Sequence, residues 1–116
     1  MVQINAFAVG LTALLLGQAT AFPNECKNGM RYCGYNLLNG GPFQQVWEQR
    51  LNAALPPNQQ GHQFGSTFIC NSDQVSVRFE DYCPDKGAGW VCKNGNNNLC
   101  VVDPLFPGQD CCSNVN

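Results

Sequence analysis

The sequence predicts a small disulfide-rich α+β domain, with one helix packed on a three- to five-stranded antiparallel sheet. Three observations predict this fold class. The chain has eight cysteines in 116 residues, a density typical of small secreted disulfide scaffolds. One stretch has apolar residues at helical spacing. The segments after it alternate apolar and polar residues, as strands do. The length suits one domain, whose apolar core alone would be marginal.

Residues 1–21 are interpreted as a cleaved signal peptide. The run AFAVGLTALLLG (residues 6–17) has no charge, and it is too short to cross a bilayer, which needs about 20 apolar residues. The small residues ATA (residues 19–21) follow and form a cleavage site of the A-x-A type. We therefore expect a secreted, extracellular product that begins at Phe22, forms one domain over residues 22–116 and does not insert into a membrane.

The main helix is predicted in GGPFQQVWEQRLNAALPP (residues 40–57). Pro42 suits a first helical turn, and the two prolines at residues 56–57 end the helix. We expect Trp47 and Leu51 to face the sheet. The apolar residues between the prolines lie at helical spacing and form one stripe: Phe43, Val46, Trp47, Leu51, Ala54 and Leu55.

An antiparallel hairpin is the first part of the predicted sheet. Its strands are STFIC (residues 66–70) and the alternating VSVRF (residues 75–79), joined by the turn sequence NSDQ. RYCGY (residues 31–35) is expected to add an edge strand.

The C-terminal part is predicted to contain a second hairpin and a loop. GWVCK (residues 89–93) and LCVV (residues 99–102) flank Asn94-Gly95, a turn-prone dipeptide. The following DPLFPGQDCCSN (residues 103–114) is interpreted as a loop held by the last two cysteines.

Four disulfides are expected, because the number of cysteines is even and export exposes the chain to an oxidising compartment. Eight cysteines allow 105 connectivities, and the sequence does not choose among them. A bond between the adjacent Cys111 and Cys112 would close a strained ring, so each is expected to pair elsewhere. Each bridge typically contributes about 2–5 kcal/mol, so full reduction should unfold the protein or nearly so. The disulfide cysteines are Cys26, Cys33, Cys70, Cys83, Cys92, Cys100, Cys111 and Cys112.

Charge and cysteine spacing argue against several classes of function. Six Lys and Arg residues face eight Asp and Glu residues, with mixed signs along the chain. The sequence has no basic block that could bind phosphate groups, so we predict no nucleic-acid partner. The closest non-adjacent cysteines have the spacings C-x6-C and C-x7-C, whereas zinc sites use C-x2–4-C. We therefore predict no metal site and no cofactor.

No catalytic residue is assigned, and the protein is predicted not to be an enzyme. His62 is the only histidine, and it is interpreted as a polar loop residue rather than a general base. The carboxylates Glu48, Asp73, Glu80 and Asp81 are candidates for a glycosidase pair. Glu80 and Asp81 are neighbours, however, and would point to opposite faces of a regular strand. A small hydrolase or ribonuclease that uses His62 and Glu48 stays as the third hypothesis.

The aromatic residues outside the helix stripe are the candidate binding residues. Aromatic side chains on a rigid scaffold stack on sugar rings or anchor a protein partner. Phe106 lies between two prolines and is a candidate exposed anchor. Trp90, with Gly87 and Gly89 before it, forms a second candidate contact edge. The full candidate set is Trp90, Phe106, Tyr35 and Phe64.

CKNGMRYCGYNLL (residues 26–38) resembles the small cysteine-rich secreted proteins of filamentous fungi. Many of these open with a C-x-x-G and C-G-like segment after a signal peptide, and later cysteines follow strand runs, as in FICNSDQVSVRFEDYC here. The resemblance implies an effector-like protein that acts on a host.

Two binding hypotheses therefore stand beside the hydrolase. The first is a non-enzymatic interaction protein whose partner is a host or cell-wall protein, bound through loops around Trp90 and Phe106. The second is a carbohydrate-binding module for wall polysaccharide such as chitin or glucan.

Overall fold

The computed structural model describes residues 22–95, 100 and 108–114. This part of the chain contains one main helix, a three-stranded sheet, a two-stranded sheet and four disulfides. The predicted disulfide-rich α+β domain is therefore confirmed. The predicted signal peptide and the candidate anchor Phe106 lie outside the described residues.

The three-stranded sheet contains β1 (Arg31–Cys33), β2 (Ser66–Cys70) and β3 (Val77–Tyr82). All pairs are antiparallel, and β2 lies in the middle. The predicted hairpin and the predicted edge strand are thus confirmed.

The turn of the hairpin is longer than predicted, and β3 begins at Val77. The Asp73 carboxylate accepts hydrogen bonds from the backbone N–H groups of Ser76 and Val75, at 2.9 and 3.0 Å. These bonds, with one from the Ser76 hydroxyl, lower the pKa of Asp73. Gln74 has a φ of 62°, a left-handed conformation that turns the chain. Val75 and Ser76 are therefore held in the turn rather than in the strand.

A β-bulge interrupts the pairing of β2 with β3. Thr67 lies opposite Asp81, and the next pair is Phe68 with Phe79. Glu80 is therefore an extra residue that lies opposite no residue of β2 in the strand register. A bulge of this kind breaks the regular alternation of side chains across the strand.

The main helix is α2 (Gln44–Ala54), and it follows α1 (Gly34–Leu37), a single turn that continues directly from β1. As predicted, Trp47 and Leu51 are fully buried, and α2 packs against β3. Val46 was expected in the apolar stripe but is 36% exposed. Val46 therefore does not share the buried face of Trp47 and Leu51.

The apolar core lies between α2 and the three-stranded sheet. Its large fully buried side chains are Trp47, Phe68, Leu37 and Leu51. The N-terminal segment covers Trp47. The Phe22 ring packs edge-on against it at 5.5 Å, and the Trp47 indole N–H donates to the Pro23 carbonyl at 2.7 Å. The segment that begins at the expected cleavage site is thus part of the core.

The two-stranded sheet pairs β4 (Trp90–Lys93) with β5 (Cys111–Asn114). The interpretation of the CCSN segment as loop is therefore wrong. The pairing of β4 with β5 was not predicted, and the LCVV segment, the predicted partner of β4, lies outside the described residues except for Cys100. The physical reason is that β5 has no apolar alternation. Its strand conformation comes from pairing with β4, with Cys92 opposite Cys112.

All eight cysteines are paired, and the adjacent Cys111 and Cys112 pair elsewhere as predicted. Two bridges connect the two sheets, because Cys33 ends β1 and Cys83 follows β3, while their partners lie on β4 and β5. The bridges are Cys26–Cys70, Cys33–Cys92, Cys83–Cys112 and Cys100–Cys111.

A buried carboxylate also holds the two sheets together. Asp110 precedes β5 and is 4% exposed. It accepts hydrogen bonds from the backbone N–H groups of Cys33 (2.8 Å) and Gly95 (2.9 Å) and from the side-chain amide of Asn36 (2.7 Å). Its backbone N–H donates to the Arg31 carbonyl at 3.2 Å. Burial of a charged group requires such partners, so this network fixes β5 beside β1.

Candidate functional site

A cleft of about 200 Å³ lies where the two sheets meet. Side chains reach it from β1, from the bulge in β3, from the 3₁₀ helix Cys83–Lys86 and from both strands of the smaller sheet. Two ion pairs, one indole ring and two adjacent half-cystines form its wall: Arg31, Glu80, Asp81, Lys86, Trp90, Cys111 and Cys112.

Glu80 and Asp81 both line this cleft. The expectation that they point to opposite faces of the strand is therefore wrong. It assumed regular alternation, and the bulge at Glu80 breaks that alternation. Two carboxylates from consecutive residues consequently enter one site.

Arg31 and Glu80 form the tighter of the two ion pairs. Arg31 Nε donates to Oε1 at 2.6 Å and Nη2 donates to Oε2 at 3.1 Å, a bidentate arrangement. The Thr67 hydroxyl also donates to Oε1, at 2.9 Å. Partial burial by itself would raise the pKa of Glu80, but the hydrogen bonds from Arg31 and Thr67 and the charge of Arg31 outweigh it and lower that pKa. Glu80 is thus held as a fixed, ionised carboxylate.

Lys86 and Asp81 form the looser pair. The Lys86 ammonium lies 3.7 Å from Asp81 Oδ2, beyond hydrogen-bond distance, and both side chains are largely open to solvent. The same ammonium lies 5.8 Å from the centre of the Trp90 ring, within the range of a cation–π contact. Lys86 therefore covers part of the Trp90 face.

Two glycines allow Lys86 and Trp90 to face each other. Gly87 and Gly89 have φ of 137° and 85°, values that L-residues with a side chain rarely adopt. A Cβ on Gly87 would lie 3.4 Å from Trp90 Cδ1, an ordinary van der Waals contact, so the requirement for glycine comes from the backbone conformation. The tight turn between the 3₁₀ helix and β4 therefore depends on these glycines.

The other predicted binding residues are not brought to the cleft. Tyr35 packs against the disulfide cluster and donates its hydroxyl to the Cys92 carbonyl at 3.2 Å. Burial, followed by the nearby Asp110 charge, raises its pKa. Phe64 is 64% exposed, in the loop before β2. Of the four candidates, Trp90 lines the cleft and Phe106 lies outside the described residues.

The residues of the hydrolase hypothesis also lie away from the cleft lining. The His62 ring stacks on Tyr82, with centroids 3.8 Å apart, and a ring nitrogen lies 2.8 Å from Gln59 Oε1. Glu48 is exposed on α2. In the described part of the chain, no group of three or more His, Cys, Asp and Glu side chains is arranged to hold a metal ion.

Sequence reasoning missed Arg31 and Lys86 as site residues. Arg31 meets Glu80 across 49 residues of chain, and no spacing in the sequence signals that contact. For Lys86 the sequence offered a weak indication of a position near Trp90, because Lys86 directly precedes the turn at Gly87 that leads to Trp90.

No family model, curated protein or solved structure matches this chain. Among the helices of the described residues, none has the length and apolar character that would be needed to span a membrane.

Proposed function

We propose that the protein is a secreted, disulfide-stabilised, non-enzymatic interaction protein of the effector-like kind, and that it binds a host or cell-wall component at the cleft that contains Trp90. The observation that carries this proposal is the position of the Trp90 indole, beside two ion pairs in a cleft between two cross-linked sheets.

Apart from the Lys86 side chain, the walls of the cleft are fixed before any ligand arrives. Cys111 and Cys112 belong to two bridges, and the Cys83–Cys112 bridge ties the start of the 3₁₀ helix to β5. The bidentate pair with Arg31 fixes Glu80. A preorganised site loses little conformational entropy when it binds, so rigid walls favour recognition by a small protein.

Two observations favour binding over hydrolysis. The Glu80 carboxylate is engaged by Arg31 and Thr67, and its pKa is lowered, whereas the general acid of a glycosidase needs a raised pKa. His62 and Glu48 are absent from the cleft lining. The hydrolase or ribonuclease hypothesis therefore has the least support of the three.

A carbohydrate-binding module is the second candidate function. The aromatic ring of Trp90 lies beside carboxylates that can accept hydrogen bonds and cations that can donate them. This combination suits a sugar, whose ring face is apolar and whose rim carries hydroxyl groups. Chitin and glucan are the wall polymers to which this candidate points.

The Trp90→Ala variant tests the proposed location of binding, with Phe64→Ala as the matched control. Purified proteins are incubated with washed chitin, washed glucan and intact host cell surfaces, and the bound fraction is measured. We expect at least one surface to retain the wild type. Trp90→Ala should weaken that binding by at least about tenfold, because truncation of a buried aromatic anchor typically costs more than about 1 kcal/mol, and Phe64→Ala should bind as the wild type does.

Far-ultraviolet circular dichroism and thermal unfolding establish that each variant is folded. Equal retention of wild type and Trp90→Ala on every surface would overturn the proposed site. Loss of binding only in Phe64→Ala would move the contact to the loop before β2.

A further inference from the structure

We infer that the corner of the cleft between Trp90 and Asp81 recognises a primary ammonium group of the ligand, and that Lys86 occupies this corner in the free protein. The inference rests on the proposed function, because it names the chemical group that the proposed site binds.

The corner already holds an ammonium group. Lys86 Nζ lies 3.7 Å from Asp81 Oδ2 and 5.8 Å from the centre of the Trp90 ring. An aromatic face together with a carboxylate is the combination that binds organic cations. The side chain of Lys86 thus acts as an internal stand-in for the group that the site would take from a ligand.

Lys86 is held weakly enough to be displaced. Its side chain is 40% exposed and that of Asp81 is 45% exposed, and their distance is too long for a hydrogen bond. Exposed ion pairs typically change an equilibrium constant by less than about fivefold. The lysine stem is flexible and can carry its ammonium into solvent, so an incoming ammonium can reach hydrogen-bond distance of Asp81.

Charge favours a cation over an anion once Lys86 has moved. Arg31 is committed to both oxygens of Glu80, so these two charges compensate each other locally. Asp81 then remains as an uncompensated negative charge beside Trp90. An anionic ligand would be repelled by Asp81, and a neutral ligand would not benefit from it.

Two natural sources carry this chemistry. One is a deacetylated amino-sugar polymer, and the other is a lysine side chain of a protein. The test uses one pair of probes for each source: chitosan oligomers against chitin oligomers of equal length, and a lysine-rich peptide against its acetylated form. Within each pair, acetylation removes the charge and leaves the backbone of the probe unchanged.

Isothermal titration calorimetry of the full mature protein measures binding of each probe at low salt and at a pH at which the amines are protonated. We expect at least one ammonium-bearing probe to bind about tenfold more tightly than its acetylated partner. The probe pair with the larger difference identifies the source.

Charge variants separate this inference from general electrostatics. Lys86→Met should strengthen binding of the ammonium probe by about three- to fivefold, because it removes the internal competitor, and Asp81→Asn should weaken it by a similar factor. Lys27→Met and Asp85→Asn make the same charge changes at exposed positions that do not line the cleft. These controls should leave binding within about twofold of the wild type.

Three outcomes overturn the inference: no binding of either ammonium probe, equal binding of a probe and its acetylated partner, or weaker binding by Lys86→Met. In each case Trp90-dependent binding to glucan, chitin or host cells would still support the proposed function. If binding to every probe and surface were independent of Trp90, the proposed function would fail as well.

Discussion

The two sheets of this protein are held in different ways. The three-stranded sheet packs on α2 through large fully buried apolar side chains such as Trp47 and Phe68. Around the two-stranded sheet, the buried cluster consists of the half-cystines Cys33, Cys83 and Cys92, and the nearby buried charge is Asp110. The first, the apolar region, is a hydrophobic core that also contains the Cys26–Cys70 bridge, whereas the second, the covalent region, is held by disulfides and hydrogen bonds.

The difference shows how a small chain extends its structure beyond its apolar core. A domain of this size buries limited apolar surface, and that surface is concentrated on one side of the molecule. Two disulfides and the hydrogen-bonded Asp110 carboxylate attach the two-stranded sheet to the three-stranded sheet, where large buried apolar side chains are lacking. The candidate site lies at the junction of the two sheets, so its shape depends on both kinds of stabilisation.

Truncation of the largest core side chain tests the apolar region and should have the largest effect. Trp47→Ala removes a fully buried indole, its contact with Phe22 and its hydrogen bond to the Pro23 carbonyl. We expect a loss of about 3–5 kcal/mol in the free energy of unfolding, measured by guanidinium denaturation. The neighbouring Val46→Ala, at a half-exposed position, should cost less than about 1 kcal/mol. Similar losses in the two variants would contradict the assigned helix face.

Removal of one of the two inter-sheet bridges, Cys33–Cys92, tests the covalent region. The double variant Cys33→Ala/Cys92→Ala should lose about 2–5 kcal/mol. Hydrogen exchange should increase first at the amides of β4 and β5, while amides of β2 stay protected, because the apolar core is untouched. A uniform increase across both sheets would show that the two regions unfold as one unit and are not stabilised separately.

The sequence predicted the apolar region better than the covalent one, for a physical reason. Burial of Trp47 and Leu51 follows from local helical periodicity, and the hairpin follows from alternation in VSVRF. The strand at Cys111–Asn114 has no such pattern. It is a strand because Cys92 and Cys112 lie opposite each other and the bridges hold the segment in place. Such long-range pairing leaves no local signal in the sequence.

The candidate site was predictable only in part. Trp90 could be selected because it lies outside the helix stripe and follows two glycines. The residues around Trp90 could not be predicted, since the bulge that brings Glu80 and Asp81 into one cleft depends on the register between two strands. Arg31 and Lys86 then enter from elements whose relative placement the bridges fix.

The polar part of the covalent region can be tested at Asp110. All three hydrogen bonds to its carboxylate come from N–H donors, so in Asp110→Asn an amide NH2 group would face a donor. We expect a loss of about 1–3 kcal/mol in the free energy of unfolding, the cost of leaving a buried donor unsatisfied. Asp85→Asn changes an exposed carboxylate that accepts from Gln59, and it should cost less than about 0.5 kcal/mol. Equal effects would mean that the buried network contributes little.

The ion pair between Arg31 and Glu80 should make the smallest contribution to the free energy of unfolding, and this contribution should depend on pH. The pKa of Glu80 is lowered in the folded protein, so its stabilising contribution is present above the ordinary glutamate pKa of about 4.3 and is lost as the pH falls through the lowered value. A double-mutant cycle of Arg31→Gln and Glu80→Gln should give a coupling below about 1 kcal/mol at neutral pH, since both side chains are about 30% exposed. Denaturation curves at decreasing pH should show this coupling decline towards zero. A coupling that persists unchanged in acid would mean that the ionised Glu80 carboxylate does not hold Arg31 at the wall of the cleft.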